Sequence, residues 1–304
     1  MYVHSLCSIS ALPILTTNDE LPPLIATPHL DAVEPKYADY IPPMQSRRMS
    51  KGLKMALVAA LECMQQKGLT ADDLAAIEIG TAYGLLRDSE SFLKNMTEQN
   101  ETALNPTAFI QSTHNTISGT IALKLKAHVH NMTFVQKGHS FENAVLDTQL
   151  SLNTAGDKYI LLGGADERID LLEAIIGPAH TVMGIGEASS FFLVSNRKEN
   201  AAAYIANFQT FKTNDCEEAA ARLDKVMANY DCHNGTCPTI VWNSMNEHAI
   251  NYTYKIVDVS SIVGYNPTGS ALALAIGIKH KQALDCPVIV INQFKEYWSI
   301  FELQ

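Results

Sequence analysis

No apolar run in this 304-residue chain is long enough to cross a bilayer. The longest near the C-terminus, "SALALAIGI", falls far short of the roughly 20 residues a spanning helix needs. Basic residues are scarce: 22 Lys and Arg stand against 32 Asp and Glu, a net charge of −10. That balance argues against nucleic acid or an anionic membrane as partner, since both need basic surface. The opening "MYVHSLCSISALPILTTNDE" lacks the basic segment and cleavage site of a secretory signal, so a cytoplasmic protein is expected. Cysteines are few: Cys7, Cys63, Cys216, Cys232, Cys237 and Cys286. In that compartment they are expected as thiols rather than disulfides. No short-period repeat and no low-complexity linker is visible.

What is present reads as an ordinary globular chain, 47% apolar and 18% charged, with enough length for one large or two medium domains. Residues 46–69 carry Leu53, Met55, Ala56, Ala59, Ala60, Cys63 and Met64 at helical spacing, with Gly68 as a stop. "AIEIGTAYG" reads as a buried strand entering a turn, "TISGTIALKLKAH" as helix and "MTFVQK" as strand over about 131–137. A turn at Lys137–Ser140 leads to a helix ending near Thr154. "YILLGG", "ASSFFLVSN", "AAAYIANFQTF", "PTIVWNS", "YKIVDVS" and "PVIVINQF" read as strands, and "CEEAAARLDKVMANY" and "GSALALAIGIKHKQAL" as helices. Strands that are apolar throughout, alternating with helices, predict a sheet covered on both faces. "GHSFENAVLDTQLSLNTAGDKYILLGG" and "GYNPTGSALALAIGIKHKQALDCPVIVINQF" share one plan of turn, apolar helix and buried strand, which hints at an internal duplication.

The stretch "KGHSFENAVLDTQ", residues 137–149, raises the functional question. A helix N-terminus, with its unpaired N–H groups, favours a nucleophilic anion. This one offers His139 and Ser140 and no cysteine. A Ser140–His hydrolase site would need an orienting acid. Neighbouring motifs are weaker. "DCHNGTC" holds Cys232, His233 and Cys237 without a second ligand pair. "HVH" sets His128 and His130 on one face of an extended segment, also without partners in the sequence. "GIGEAS" lacks the third glycine of a dinucleotide loop. Glu187, Asp166 and Glu167 are read as holding turns, and His114 and Asn115 as satisfying buried backbone groups. Arg47, Arg48, Lys51 and Lys54 form the one basic cluster, on a helix face.

Four segments carry a family resemblance: "NPTAFIQSTHNTISGTIAL", "FVQKGHSFENAVLDTQLSLNTAGDKYILLGGADE", "MGIGEASSFFLVS", and "VDVSSIVGYNPTGSALALAIG" with the terminal "PVIVINQF". In order and spacing they resemble the β-ketoacyl-acyl-carrier-protein synthases of the thiolase-like superfamily. The resemblance implies a duplicated α/β unit in a layered α-β-α-β-α arrangement, usually dimeric. It implies a ketoacyl-synthase-like half at 1–198 and a shortened second half at 199–304. It calls for no cofactor and no metal.

The resemblance also places the chemistry. A condensing enzyme has a cysteine at the nucleophile turn, where this chain has His139 followed by Ser140. Of the family's two histidines, one falls at Asn243 or Ser244, with His248 a few residues late, and the other at Tyr265. The lysine position reads Ser260, and the flexible glycine-rich loop reads "QFKEYWS". The pattern implies a degenerate member of chain-length-factor type. Such a chain pairs with an active ketoacyl synthase in fatty-acid, polyketide or aryl-polyene biosynthesis, as heterodimer or homodimer, with acyl carrier protein as a further partner. Two alternatives stay open: an acyltransferase or hydrolase using His139, Ser140 or His248, and a homodimeric acyl-chain-binding protein. A working site would bring His139 or Ser140 within hydrogen-bond reach of a second titratable group. A scaffold would fill that space with Tyr265, Tyr297 or Trp298.

Overall fold

The computed structural model describes residues 1–27, 29–102, 106–180, 184–230, 237–244 and 255–304. In the first half the chain forms β1 (Tyr2–Ile9), β2 (Leu15–Thr16), α1 (Pro43–Ser46), α2 (Lys51–Gln65), β3 (Leu74–Gly80), α3 (Leu86–Glu98), α4 (Pro106–Gln111) and α5 (Thr116–Leu125). It continues with β4 (His130–Phe134), α6 (Ser140–Leu152), β5 (Tyr159–Asp166), α7 (Asp170–His180) and β6 (Ala188–Ser195). The second half forms β7 (Ala203–Lys212), α8 (Cys216–Met227), β8 (Thr239–Ser244), β9 (Ile256–Asp258), α9 (Val259–Val263), α10 (Gly269–Leu284), β10 (Val288–Phe294) and β11 (Tyr297–Leu303).

The strand order β4-β3-β5-β6-β1-β7-β11-β10-β8-β9 shows the duplication directly. Leaving the short β2 aside, each half arranges its five strands as third, second, fourth, fifth, first. The senses repeat as well. β4, β3 and β5 are parallel and β6 runs against them; β9, β8 and β10 are parallel and β11 runs against them. The halves meet where β1 pairs β7 at Tyr2–Tyr204 and Val3–Ala203. A shared topology of this kind survives where sequence similarity does not.

Each apolar strand feeds two cores. In β5, Ile160 and Leu162 enter the central core with Phe141, Ala144 and most of α10, while Leu161 enters an outer core with α2. In β10, Val288 and Val290 face the central core and Ile289 and Ile291 face α8. Burial on both faces explains why these runs are apolar at every position. The layers are therefore α, β, α, β, α, with α6 and α10 in the middle. α10 is buried almost all round, as a helix held between two sheets must be. The second half is the slighter one, with only α8, α9 and α10 among the described residues.

Several expectations need correction. The N-terminal segment, read only as lacking a signal, is the buried strand β1. The closing strand is β11 rather than "PVIVINQF", and "QFKEYWS" is the connection that joins the two. It is a tight hairpin in which Phe294 pairs Tyr297 and Lys295 takes φ 54°. The strand expected over 131–137 stops at Phe134, because the Gln136 N–H is drawn away to the Ser140 hydroxyl at 2.7 Å. The helix expected over 46–69 is α2, beginning at Lys51. Among the described residues no helix is long and apolar enough to cross a membrane.

The approach of α6 to the sheet depends on Gly80, at the end of β3. A Cβ there would lie 2.5 Å from the backbone of Ser140 and Phe141, and backbone cannot move aside as a side chain can. Gly80→Ala is expected to destabilise the fold by about 3 kcal/mol, read as a lower midpoint in urea unfolding at unchanged slope.

Candidate functional site

The site forms where β4 hands over to α6. A 3-10 turn at Lys137–His139 joins them, with Lys137 at φ 50°. Gly138 is packed face-on against Phe294, whose ring carbons would lie 2.4 Å from any Cβ. His139 occupies the N-cap position of α6. Its ring is 6% exposed and lies against Tyr297 with centroids 5.5 Å apart. Nδ1 faces Glu142 Oε2 at 3.9 Å, beyond hydrogen-bond reach. Neither atom has a hydrogen-bond partner among the described residues.

Ser140 is held by backbone. Its hydroxyl donates to the Lys137 carbonyl and accepts from the Gln136 N–H, both at 2.7 Å. A hydroxyl so engaged is a turn lock. Ser140→Ala is accordingly expected to cost about 1–2 kcal/mol in stability, since it orphans the Gln136 N–H, as measured by thermal unfolding.

A polar network unread in the sequence lies beneath His139. The fully buried Glu142 accepts from Asn292 Nδ2 at 2.7 Å and from Ser299 Oγ at 2.9 Å. Asn292 Nδ2 also reaches the Gly138 carbonyl at 3.3 Å, and Asn292 Oδ1 accepts from Asn243 Nδ2 at 2.6 Å. The network thus joins α6 to β8, β10 and β11. Its signal in the sequence is two polar residues at positions where the pattern demands apolar ones: Glu142 in "FENAV" and Asn292 in "VIVINQF".

The structure brings together only part of the anticipated set. Asn243 is joined through Asn292 to the Gly138 carbonyl, next to His139 in the turn, and not to the imidazole itself. Tyr265 is buried, and its backbone pairs with Gly184 and Gly186 at 3.0 and 2.8 Å. Burial holds its phenol well above the usual range, and Tyr83, Asp166 and Glu142 raise it further. Ser244 lies instead beside Gln293, at 3.4 Å. Ser260 donates to Asp258 at 2.7 Å in the first turn of α9. Of the aromatic fillers, Tyr297 and Tyr265 are at the site, but Trp298 is not. It is the next residue along β11 and so points the other way, into the outer core against Trp242. Its indole N–H donates to the Thr213 carbonyl at 3.2 Å. His248, Cys232 and His233 lie outside the described residues. Cys7 and Cys63 are buried, and burial pushes both thiols far above their usual range, so neither is a nucleophile.

The three carboxylates read as turn holders act as such. Asp166 accepts from Thr81 Oγ1 at 3.0 Å, Ala82 N–H at 2.9 Å and Tyr83 N–H at 3.0 Å. Glu167 accepts from the Gly52 and Arg87 N–H groups at 3.0 and 2.8 Å. Glu187 accepts from the Ala32 and Arg168 N–H groups at 2.8 and 3.1 Å and pairs with Lys51. Lys51 is therefore drawn inward, and Lys54 lies over the Tyr37 ring at 4.6 Å, which leaves Arg47 and Arg48 as the exposed part of the basic cluster. His114 and Asn115 are exposed at the start of α5 rather than satisfying buried backbone.

Residues 25–218 match the family model described as β-ketoacyl synthase, N-terminal domain. Among solved structures, a β-ketoacyl synthase from Burkholderia phymatum is similar at TM-score 0.76 and 13% identity, covering 100% of this chain and 98% of that one. The ishigamide ketosynthase/chain length factor is similar at TM-score 0.74 and 13% identity, covering 99% of this chain and 98% of that one. A ketosynthase in complex with its chain length factor, from Xenorhabdus doucetiae, is similar at TM-score 0.61 and 15% identity, covering 99% of both chains. At such identities the likeness is one of fold. No curated protein matches the chain.

Proposed function

The chain belongs to the β-ketoacyl synthase family, and from that premise we propose that it serves as a non-catalytic, chain-length-factor-type partner of an active β-ketoacyl synthase. In this reading residues 1–198 and 199–304 are the two thiolase-like halves. His139 stands at the nucleophile position. Ser244 or its neighbour Asn243, together with Tyr265, stands at the histidine positions, and Ser260 at the lysine position. The observation that carries the reading is the state of the nucleophile turn. A buried imidazole packed on Tyr297 occupies it, 3.9 Å from the Glu142 carboxylate, and the adjacent hydroxyl is engaged by backbone. An acyl-enzyme needs an accessible nucleophile with a base in reach. Two of the structures similar in fold hold a ketosynthase with its chain length factor, which supports a paired role.

The surface for pairing is the β4 edge. Among the described residues β4 pairs with β3 alone, and an unpaired strand edge is a liability unless something covers it. Met132, Val135, Leu146 and Leu150 are 40%, 47%, 39% and 67% exposed around it. A partner docking there would continue the sheet and cover the outer side of α6. With only Arg47 and Arg48 exposed from its basic cluster, the acidic chain leaves carrier-protein docking to its partner. Co-expression with an intact synthase of the same organism is expected to give a 1:1 complex by size-exclusion chromatography with light scattering. Leu146→Glu with Leu150→Glu is expected to weaken that complex at least tenfold. Elution as a monomer, alone and with the synthase, would refute the pairing.

A further inference from the structure

The exposed end of β4 carries a group of side chains that the ketosynthase reading does not use. The imidazole of His130, the first residue of β4, lies 3.4 Å from Asp147 Oδ2 on α6. Glu78, in the middle of β3, completes the group: one ligand atom from each residue lies within 4.8 Å of the other two. The register explains the meeting. His130 stands beside Ala76 in the parallel ladder, and Glu78, two residues on, shares that face. Asp147 then comes down from the helix packed over both strands. The sequence offered "HVH" without partners, and the fold supplies them.

We propose that Glu78, His130 and Asp147 bind one divalent transition-metal cation, with zinc(II) the ion the donor set fits best. One imidazole nitrogen and two carboxylate oxygens match the mixed donors of three-ligand zinc sites, which leave a fourth position to water. Ligand atoms around tetrahedral zinc stand about 3.3 Å apart, and the His130–Asp147 pair is already at 3.4 Å. The second, independent observation is Glu78 itself. Its side chain is fully buried, and Oε1 has no hydrogen-bond partner among the described residues. A buried carboxylate oxygen with no donor is costly. Thr148 Oγ1 donates to the other oxygen, Oε2, at 2.5 Å and so orients the carboxylate, as an outer-shell partner orients a metal ligand. His130 and Asp147 are half and one quarter exposed, so the ion has a way in. Once bound, it ties the edge strand β4 to β3 and α6.

The test is titration of the purified full-length chain with Zn2+ by calorimetry, then with Co2+ by absorption spectroscopy. One equivalent is expected per chain, with the bands of a nitrogen and oxygen site and no thiolate-to-metal band. His130→Ala and Asp147→Asn are each expected to weaken binding by about 100-fold or more, since even outer-shell losses cost 10–100-fold. Glu78→Gln is expected to do the same. Should that buried variant fail to fold, the two more exposed ones decide. Zinc is also expected to raise the unfolding temperature of the wild type and to leave that of His130→Ala unchanged. Absence of saturable binding, unchanged binding in His130→Ala, or a thiolate band pointing to the Cys232–Cys237 segment would each overturn the assignment.

Discussion

Incubated alone with acyl-carrier and malonyl-carrier thioesters, the purified chain is expected to return at its unmodified mass and to release no carbon dioxide. On the proposed reading the effect is total, because each chemical step would lack its group. Acyl transfer needs a nucleophile at the start of α6. The candidates there are an imidazole wedged between Tyr297 and Glu142 and a hydroxyl whose proton is donated to the Lys137 carbonyl and which is held by the Gln136 N–H. Decarboxylation needs donors to hold the developing charge. Asn243 is committed to Asn292 at 2.6 Å, and Tyr265 is buried among acidic neighbours. Intact-protein mass spectrometry after each incubation is the measurement. An acyl adduct that disappears in His139→Ala or Ser140→Ala would overturn the scaffold reading in favour of an unusual acyltransferase.

The second large effect is on stability and its pH dependence. Asp166 is fully enclosed, and burial pushes its carboxyl up to about 6 from 3.8, against the pull of hydrogen bonds from Ala82, Tyr83, Thr268 and Thr81. The folded value lies above the unfolded one. The folded state therefore binds more protons between them, and stability from this group falls as pH rises. The contribution is fully present below about pH 3.8 and is lost as pH passes about 6. At about 1.4 kcal/mol per unit, the loss is about 3 kcal/mol. Asp166→Asn removes the titration and sets an NH2 group against backbone N–H donors, a mismatch that costs about 2–4 kcal/mol. The wild type should be the more stable protein at pH 4, and its advantage should shrink toward pH 7. Other carboxylates cancel in the comparison wherever they are remote from Asp166. Urea unfolding of both proteins at pH 4 and 7 measures the gap, and a gap constant across that range would contradict the account. The residue matters to the site because it fixes the turn that carries Tyr83, a neighbour of Tyr265.

Much of the frame was legible because burial on both faces leaves a plain mark. β5 and β10 are apolar at nearly every position, and the turn at Gly138 places the start of α6 at Ser140. β1 was illegible for the opposite reason. His4 and Ser8 break its apolar run, yet both are buried and bonded across to β6, at 2.8 Å to Ser195 and 2.7 Å to Ser190. β11 is disguised in the same way by Ser299 and Glu302, both buried and paired. α3 sets Leu86, Phe92, Leu93 and Met96 on one face but buries none of them fully, so it leaves a weaker mark than the strands. In the site, local sequence located His139 and Ser140. Glu142, Asn292 and Ser299 form a unit only through contacts 150 and 157 residues apart, and no spacing rule reaches so far. The metal-ligand group was hidden likewise, since Glu78 and Asp147 join His130 from two other elements.

The claim that this chain contributes a frame while its partner does the chemistry is tested most directly by condensation kinetics of the co-expressed complex. Acyl- and malonyl-carrier thioesters are the substrates. Replacing the synthase's nucleophilic cysteine by alanine is expected to abolish product, and His139→Ala in this chain is expected to leave the rate within about twofold. Product that persists without the synthase's cysteine, or that is lost with His139→Ala while the complex stays assembled, would contradict the account.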